Sequence, residues 1–373
     1  MFAFLIATLL FVTPQGRAAF KTALFVPQVL PSIPIKPQVW FTGDPAYREV
    51  YYPLSNGGQA VADLYLPPGG GRHSAVLFFQ GVVPGGRFDP RVVALAEGLA
   101  RSGMVVMMPW LKTQEENYIV VEDIDNLVLG FQYLRSLDEV DPDRVGMGGI
   151  CVGASMTMVA AEDDRIRHHV KFVNLFAGYY DMYDLARAIA CRCRFDGNEV
   201  TPWETDKLTF GVFRHHVIEG VPDEGDRELL TRIFKDNDDA ADLGGNGMAT
   251  EQGRAAYLLL EGVPFEDTER LMATLGPQIG EFMRAVSPST NIDKISARVL
   301  IMHDRGDKLV PPEESRRMAA ALSKDDRTYH TEFSFFQKQV QLHVDKTKSV
   351  GPLGFIREAA KLFMHMYNVI REI

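Results

Sequence analysis

GMGGICVGASM, residues 146–156, decides how this chain is read. The preceding Arg144-Val145 and the run to Gly149 have the look of a strand. CVGASMTMVAA, from Cys151 onward, has the look of a helix. Between them the chain must turn sharply, and Gly149 and Gly153 flank the turn in a G-x-C-x-G spacing. Glycines there permit the turn and let helix and strand backbones approach closely. Cys151 would then sit at a helix N-terminus, where unpaired N–H groups and the helix dipole favour a thiolate. A buried structural cysteine is the plainer alternative, since free cysteine is among the most buried residue types.

Working outward, strands and helices alternate. SAVLFFQ (74–80) is a continuous apolar run, the mark of a strand buried on both faces. Asp89-Pro90 then offers an N-cap followed by proline at the first helical position. Val92, Leu95, Ala96 and Leu99 recur at helical spacing up to Gly103. MVVMMPW (104–110), a helix carrying Ile124, Leu127, Val128, Phe131 and Leu134, and VKFVNLFAG (170–178) continue the rhythm. It resumes at ARVLIMH (297–303), and a strand near residues 331–336 and a final helix close the chain. Upstream, two alternating segments flank Asn56-Gly57-Gly58, a hairpin signal. The pattern predicts an α/β fold with a doubly wound, mostly parallel sheet.

From about residue 183 to 290 no strand is evident, and helical spacing is broken by Gly/Asp-rich turns. The expected organisation has four parts. Residues 1–38 form an apolar leader plus a Pro-rich tether, and 39–182 the first part of the core. Residues 183–290 form a helical insertion and 291–373 the second part. An insertion at the C-terminal edge of such a sheet lies over the ligand crevice and acts as a lid.

The chain has 373 residues and a net charge of −10, with no lysine or arginine run. That excludes the basic patch of a nucleic-acid binder. Three cysteines, Cys151, Cys191 and Cys193, are too few and too odd in number for a disulfide framework, so all three are expected as free thiols. No metal-ligand spacing is present, and no cofactor is implied. The apolar run Phe2–Val12 is shorter than the roughly 17–25 residues that span a bilayer. It fits a signal-peptide core or a membrane-associating leader, with Arg17-Ala18-Ala19 offering small residues for cleavage. The expectation is a membrane-associated or exported protein, possible contact being through the N-terminus; a cytoplasmic protein with an N-terminal core helix is the alternative.

A thiol nucleophile needs a base, an orienter for the base, and donors for an oxyanion. HDRGDKLVPPEES (303–315) follows a predicted strand and supplies Asp307, with Asp304 beside it and Asp181 as a second candidate acid. His343, in a loop before the last helix, is the candidate base; His330 stands at the wrong end of its strand. The N–H of Val152, next to the cysteine, and that of Val82, in QGVVPGG (80–86), are the candidate oxyanion donors. Tyr179 and Tyr180, with Trp203, Phe210 and Phe213, are candidates to line an acyl pocket.

The order Cys, Asp, His, each after a predicted strand, together with ADLYLP, GICVGAS and HDRGDKLVPP, resembles the dienelactone hydrolase branch of the α/β-hydrolase superfamily. The resemblance covers roughly residues 45–180 and 295–370. It implies an α/β-hydrolase fold, Cys151 as nucleophile, His343 as base and Asp307 as its orienter. It also implies a carboxylic ester, lactone or thioester as a small-molecule substrate, cleaved through an acyl-thioenzyme. The chain departs from that branch in its N-terminal apolar segment and its insertion of about a hundred residues. An acyltransferase would use the same triad. A non-catalytic, membrane-tethered binding protein would use the scaffold without it.

Overall fold

The computed structural model describes residues 12–30, 33–197, 199–238, 244–323, 326–334 and 351–372. Its centre is an eight-stranded sheet. The strands are β1 (Ala46–Pro53), β2 (Gln59–Leu66), β3 (His73–Phe79), β4 (Met104–Trp110), β5 (Val140–Ile150) and β6 (Val170–Phe176), then β9 (Arg298–Asp304) and β10 (Thr328–Phe333). Their spatial order is β1-β2-β4-β3-β5-β6-β9-β10. β2 pairs antiparallel with both β1 and β4, and the pairs from β4 through β10 are parallel. The β1–β2 turn at Asn56-Gly57 is the expected hairpin, with Gly57 at φ 82°.

Period-2 alternation gives the sheet two apolar faces. Leu77, Phe79, Met107, Met147, Val173 and Ile301 point to one core. Val76, Phe78, Met104, Phe172, Leu300 and Met302 point to the other. The first face is covered by α5 (Glu122–Ser136) and α6 (Val152–Ala161). The second is covered by α1 (Pro14–Val29), α3 (Pro90–Arg101) and α14 (Pro352–Ile370). Short helices α2 (Gln38–Phe41) and α4 (Lys112–Glu116) lie in the connections.

α1 lies within the segment expected as leader and tether. Thr13 caps it, accepting the Gly16 N–H at 3.0 Å, and Pro14 opens its first turn. It packs against α3 and α14, with Phe25 and Leu30 fully buried. The apolar side chains that precede Pro31, Pro34 and Pro37, namely Phe25, Val26 and Leu30, belong to the second core. Among the described residues no helix is long and apolar enough to cross a membrane.

Between β6 and β9 run α7 (Met182–Cys191), α8 (Lys207–Glu219), α9 (Glu224–Phe234), α10 (Glu251–Glu261), α11 (Phe265–Thr274) and α12 (Pro277–Ala285). This segment also holds a small antiparallel hairpin, β7 (Cys193–Asp196) with β8 (Glu199–Pro202), where no strand was expected. Cys191 and Cys193 are joined by a disulfide at the start of that hairpin, so the expectation of unpaired thiols fails for these two. One residue between them leaves their Cα atoms 5.1 Å apart, within bridging range. α13 (Pro312–Ala321) follows β9.

Candidate active site

Cys151 sits on the turn between β5 and α6 with φ 54° and ψ −130°, a left-handed backbone that non-glycine residues rarely adopt. Its N–H donates to Phe176 O of β6 at 2.8 Å, which anchors the turn to the sheet. Three glycines make the surroundings tight enough to hold that strain. A Cβ on Gly149 would lie 2.6 Å from Gly153 O. A Cβ on Gly153 would lie 2.3 Å from Gly81 N, and one on Gly81 2.4 Å from Gly153 N. The N-terminus of α6 therefore rests backbone to backbone on the loop after β3. That contact brings Val82 to the same cavity as Cys151 and Val152. The Val152 N–H lies near enough to the Cys151 sulfur to favour its anion.

The electrostatics differ from the expectation of a resident thiolate. Burial, then the negative charges of Asp307 and Asp206, push the Cys151 thiol up to about 12, against a smaller opposing pull from the Val152 N–H. The residue keeps some solvent access, but its walls are apolar and desolvation outweighs the helix N-terminus. The ground state is a neutral thiol.

Asp307 lies in the loop after β9 and is almost fully buried. Its Oδ1 accepts the N–H groups of Leu309 (2.6 Å) and Val310 (3.1 Å). Trp203 Nε1 donates to its carbonyl at 2.8 Å and so pins the loop to the helical segment. Asp304 instead accepts the Gly306 N–H at 2.8 Å and shapes the turn; of these two neighbours, Asp307 is the one whose charge reaches Cys151. Asp181 caps α7, accepting the Tyr183 N–H at 2.8 Å and the Ser289 hydroxyl at 2.6 Å. His343 lies outside the described residues.

His303, at the end of β9, was not foreseen. Its Nε2 stands 3.8 Å from Asp307 Oδ2 and 3.0 Å from Val310 O. Complete burial lowers its pKa to about 4, so the ring is neutral and its Nε2–H donates to Val310 O rather than forming an ion pair. Inside an apolar strand, nothing in its spacing distinguished it from a core position.

Cys151, Val82 and Val152 open into a cavity of about 50 Å³. Met182, Leu185 and Ile189 of α7, Val212, Phe213 and His216 of α8, and Ile279 and Phe282 of α12 form its roof and walls. Of the aromatic residues proposed from sequence, Phe213 lines it. Tyr179 stands near Cys151, but its ring is fully buried and its hydroxyl donates to Val286 O at 3.1 Å. Tyr180 is held by its N–H, which donates to Glu314 Oε2 at 2.8 Å. Neither tyrosine lines the cavity, Trp203 serves the acid loop, and Phe210 faces a separate surface pocket. His216, in the inserted segment, lines the cavity. It stacks on Phe282 at 4.4 Å, accepts the Ile119 N–H at Nε2 (3.2 Å), and is lowered by burial to about 3. A larger apolar cavity, about 320 Å³, lies on the opposite sheet face among α1, α3 and α14, and Cys151 does not line it.

The strand order, the lone antiparallel β2 and a strained residue between β5 and α6 make this an α/β-hydrolase fold. No family model matches the chain, and no curated protein matches it in sequence. Solved structures do. Prolyl oligopeptidase B from Galerina marginata superposes with a TM-score of 0.51 at 12% identity, over 88% of this chain and 37% of that one. A Mycobacterium tuberculosis puromycin-hydrolyzing peptidase gives 0.49 at 17% identity, over 90% of this chain and 39% of that one. Thermogutta terrifontis esterase 2 gives 0.46 at 16% identity, over 88% and 97%. The chain spans about two fifths of the length of the peptidases it resembles, and at such identities the likeness is one of fold.

Proposed function

We propose that this protein hydrolyses a small, uncharged carboxylic ester, lactone or thioester through Cys151. One observation carries the reading. A non-glycine residue with a nucleophilic side chain is held at φ 54°, its backbone locked by the Gly81–Gly153 contact, at the floor of an apolar cavity. Such strain persists only where the surroundings over-determine it, and it clusters at reacting centres.

In this mechanism the thiol is deprotonated as it attacks. His343 takes the Cys151 proton while sulfur bonds to the carbonyl carbon. The Val82 and Val152 N–H groups stabilise the oxyanion, a contribution of about 2.7–4 kcal/mol per donor. The tetrahedral intermediate collapses, the C–O or C–S bond to the leaving group breaks, and His343 returns the proton to it. Water then attacks the acyl-thioenzyme, giving its proton to His343 and releasing the acid and the free thiol. Asp307 orients the histidine and stabilises its cation. The thiol's raised pKa makes concerted deprotonation necessary: at pH 8 only about one molecule in ten thousand would carry a thiolate unaided. The narrow cavity favours short acyl groups.

The test is turnover of aryl esters of two to eight acyl carbons by the full chain beside Cys151→Ala. Turnover that vanishes in a folded variant supports the reading. Equal background rates in both would overturn it and leave a binding protein on a hydrolase scaffold, a role in which a neutral, unreactive thiol is expected.

A further inference from the structure

The first 43 residues contain Arg17, Lys21 and Lys36 and no aspartate or glutamate, in a chain whose net charge is −10. Arg17 and Lys21 lie one helical turn apart on α1, and Arg144 at the base of β5 stands close enough that both arginines lower the Lys21 pKa, after desolvation. Among the described residues none of these three has a carboxylate partner in an ion pair. A half-buried lysine repelled by two arginines is an unfavourable arrangement for a protein surface facing water alone. Beside Arg17 and Lys21 the surface is apolar, whereas Arg144 follows the exposed Asp143 and the half-exposed Asp141 in β5. Trp40 is 69% exposed and Phe41 64%. Phe20, between Arg17 and Lys21 in sequence, meets Phe41 edge to face at 5.8 Å. Val12, at the head of α1, is 65% exposed, and its carbonyl accepts from Arg17 Nη1 at 3.1 Å.

We infer that this face, made by α1, α2 and the base of β5, docks on an anionic bilayer surface. Tryptophan and phenylalanine suit the headgroup region, and unpaired arginine and lysine beside them suit anionic lipid. Charge selects this occupant over a two-fold-related second copy of the chain, which would bring the same cations against themselves. The geometry also orients the protein. Arg144 lies in β5, which ends at Ile150 just before Cys151, and the seven residue steps from Arg144 to Cys151 span about 23 Å of extended chain. The cavity therefore opens at the sheet edge opposite the bilayer and takes its substrate from the aqueous side. This inference is independent of the proposed hydrolysis.

Trp40 is itself the probe. Trp203 is 7% exposed and Trp110 is only partly exposed, so Trp40 is the indole available to lipid. The full chain is titrated with phosphatidylcholine vesicles containing a quarter phosphatidylglycerol, with and without bromine on the acyl chains. The expected result is binding with bromine quenching, which disappears in Trp40→Phe although that variant still sediments with vesicles. Pure phosphatidylcholine should bind at least about tenfold more weakly, and so should Arg17→Gln/Lys21→Gln on anionic vesicles. Three results would overturn the inference: no vesicle binding, binding with Trp40 unquenched, or Trp40 shielded in a dimer by sedimentation. Near-UV circular dichroism checks that each variant is folded.

Discussion

The two sides of the candidate site are built on different principles. On the floor, Gly81, Gly149, Gly153 and Cys151 touch through backbone atoms, and an added carbon has nowhere to go. In the roof, α7, α8 and α12 meet the cavity through apolar side chains such as Met182, Leu185, Val212 and Ile279. Backbone contact fixes geometry to a fraction of an ångström. Side-chain contact fixes volume and polarity, and neighbouring rotamers can adjust. The floor should therefore tolerate almost nothing, while the roof should tolerate much and change what is accepted. Gly153→Ala breaks this contrast most severely. Its Cβ would lie 2.3 Å from Gly81 N and 2.5 Å from Phe79 O, both main-chain atoms. We expect destabilisation of about 3 kcal/mol or more and loss of at least about a hundredfold in esterase turnover, read by thermal melting and initial rates. A variant of native stability and activity would show that the close approach is unnecessary.

Asp307→Asn sharpens the comparison, because it leaves the floor's geometry in place. An asparagine oxygen can still accept the Leu309 and Val310 N–H groups that Oδ1 holds now. Two effects of opposite sign should follow. Turnover should fall by about 10³–10⁴ as the base loses its orienting charge. Alkylation of Cys151 should become faster at a given pH, since the Asp307 charge is one of the causes that raise the thiol. If both rates fall together, the aspartate is holding structure rather than charge.

The wild-type thiol has its own pH signature. With its pKa pushed up to about 12, the thiolate is scarce at neutral pH and grows about tenfold per pH unit. Iodoacetamide labelling should climb through pH 10 without the midpoint near 8.5 and the levelling above it that an ordinary cysteine shows. The reading is clean, because Cys191 and Cys193 are tied to each other and Cys151 is the free cysteine. A plateau below pH 8 would mean that a positive charge already holds the thiolate.

The floor was legible in the sequence and the roof was not, for one physical reason. Backbone-tight turns admit few residue types, so glycine at 149 and 153 around residue 151 betrays the geometry over a few positions. The Asp307 loop is similar, since a short carboxylate that accepts the next N–H groups needs a fixed offset. Apolar spacing in α7, α8 and α12 reports that a face is buried, but not whether it meets another helix or an empty space above a thiol. Phe213 lines the cavity, whereas Tyr179, an equally plausible aromatic, spends its hydroxyl on Val286 O. The N-terminus poses a different difficulty. Pro31, Pro34 and Pro37 suggested an extended chain with the apolar stretch before them in a leader, yet Phe25 completes a core whose distant members reach from Tyr65 to Ile370. Such long-range burial leaves no local trace.

The smallest expected effect lies in the roof. Val212 on α8 is half-buried and faces the cavity, so Val212→Ala removes two methyl groups without stripping the core. Stability should fall by only about 1 kcal/mol, since a partly exposed site loses little burial. The cavity is near 50 Å³, so the space released is a large fraction of what a substrate can occupy. The acyl chain giving the highest kcat/KM should lengthen by one or two carbons, with the best rate changed by less than about tenfold. His216, neutral across the working range because burial holds it near 3, should keep that optimum independent of pH between 6 and 9. An unchanged chain-length optimum would mean that α8 does not contact the acyl group and that specificity is set elsewhere along the cavity wall.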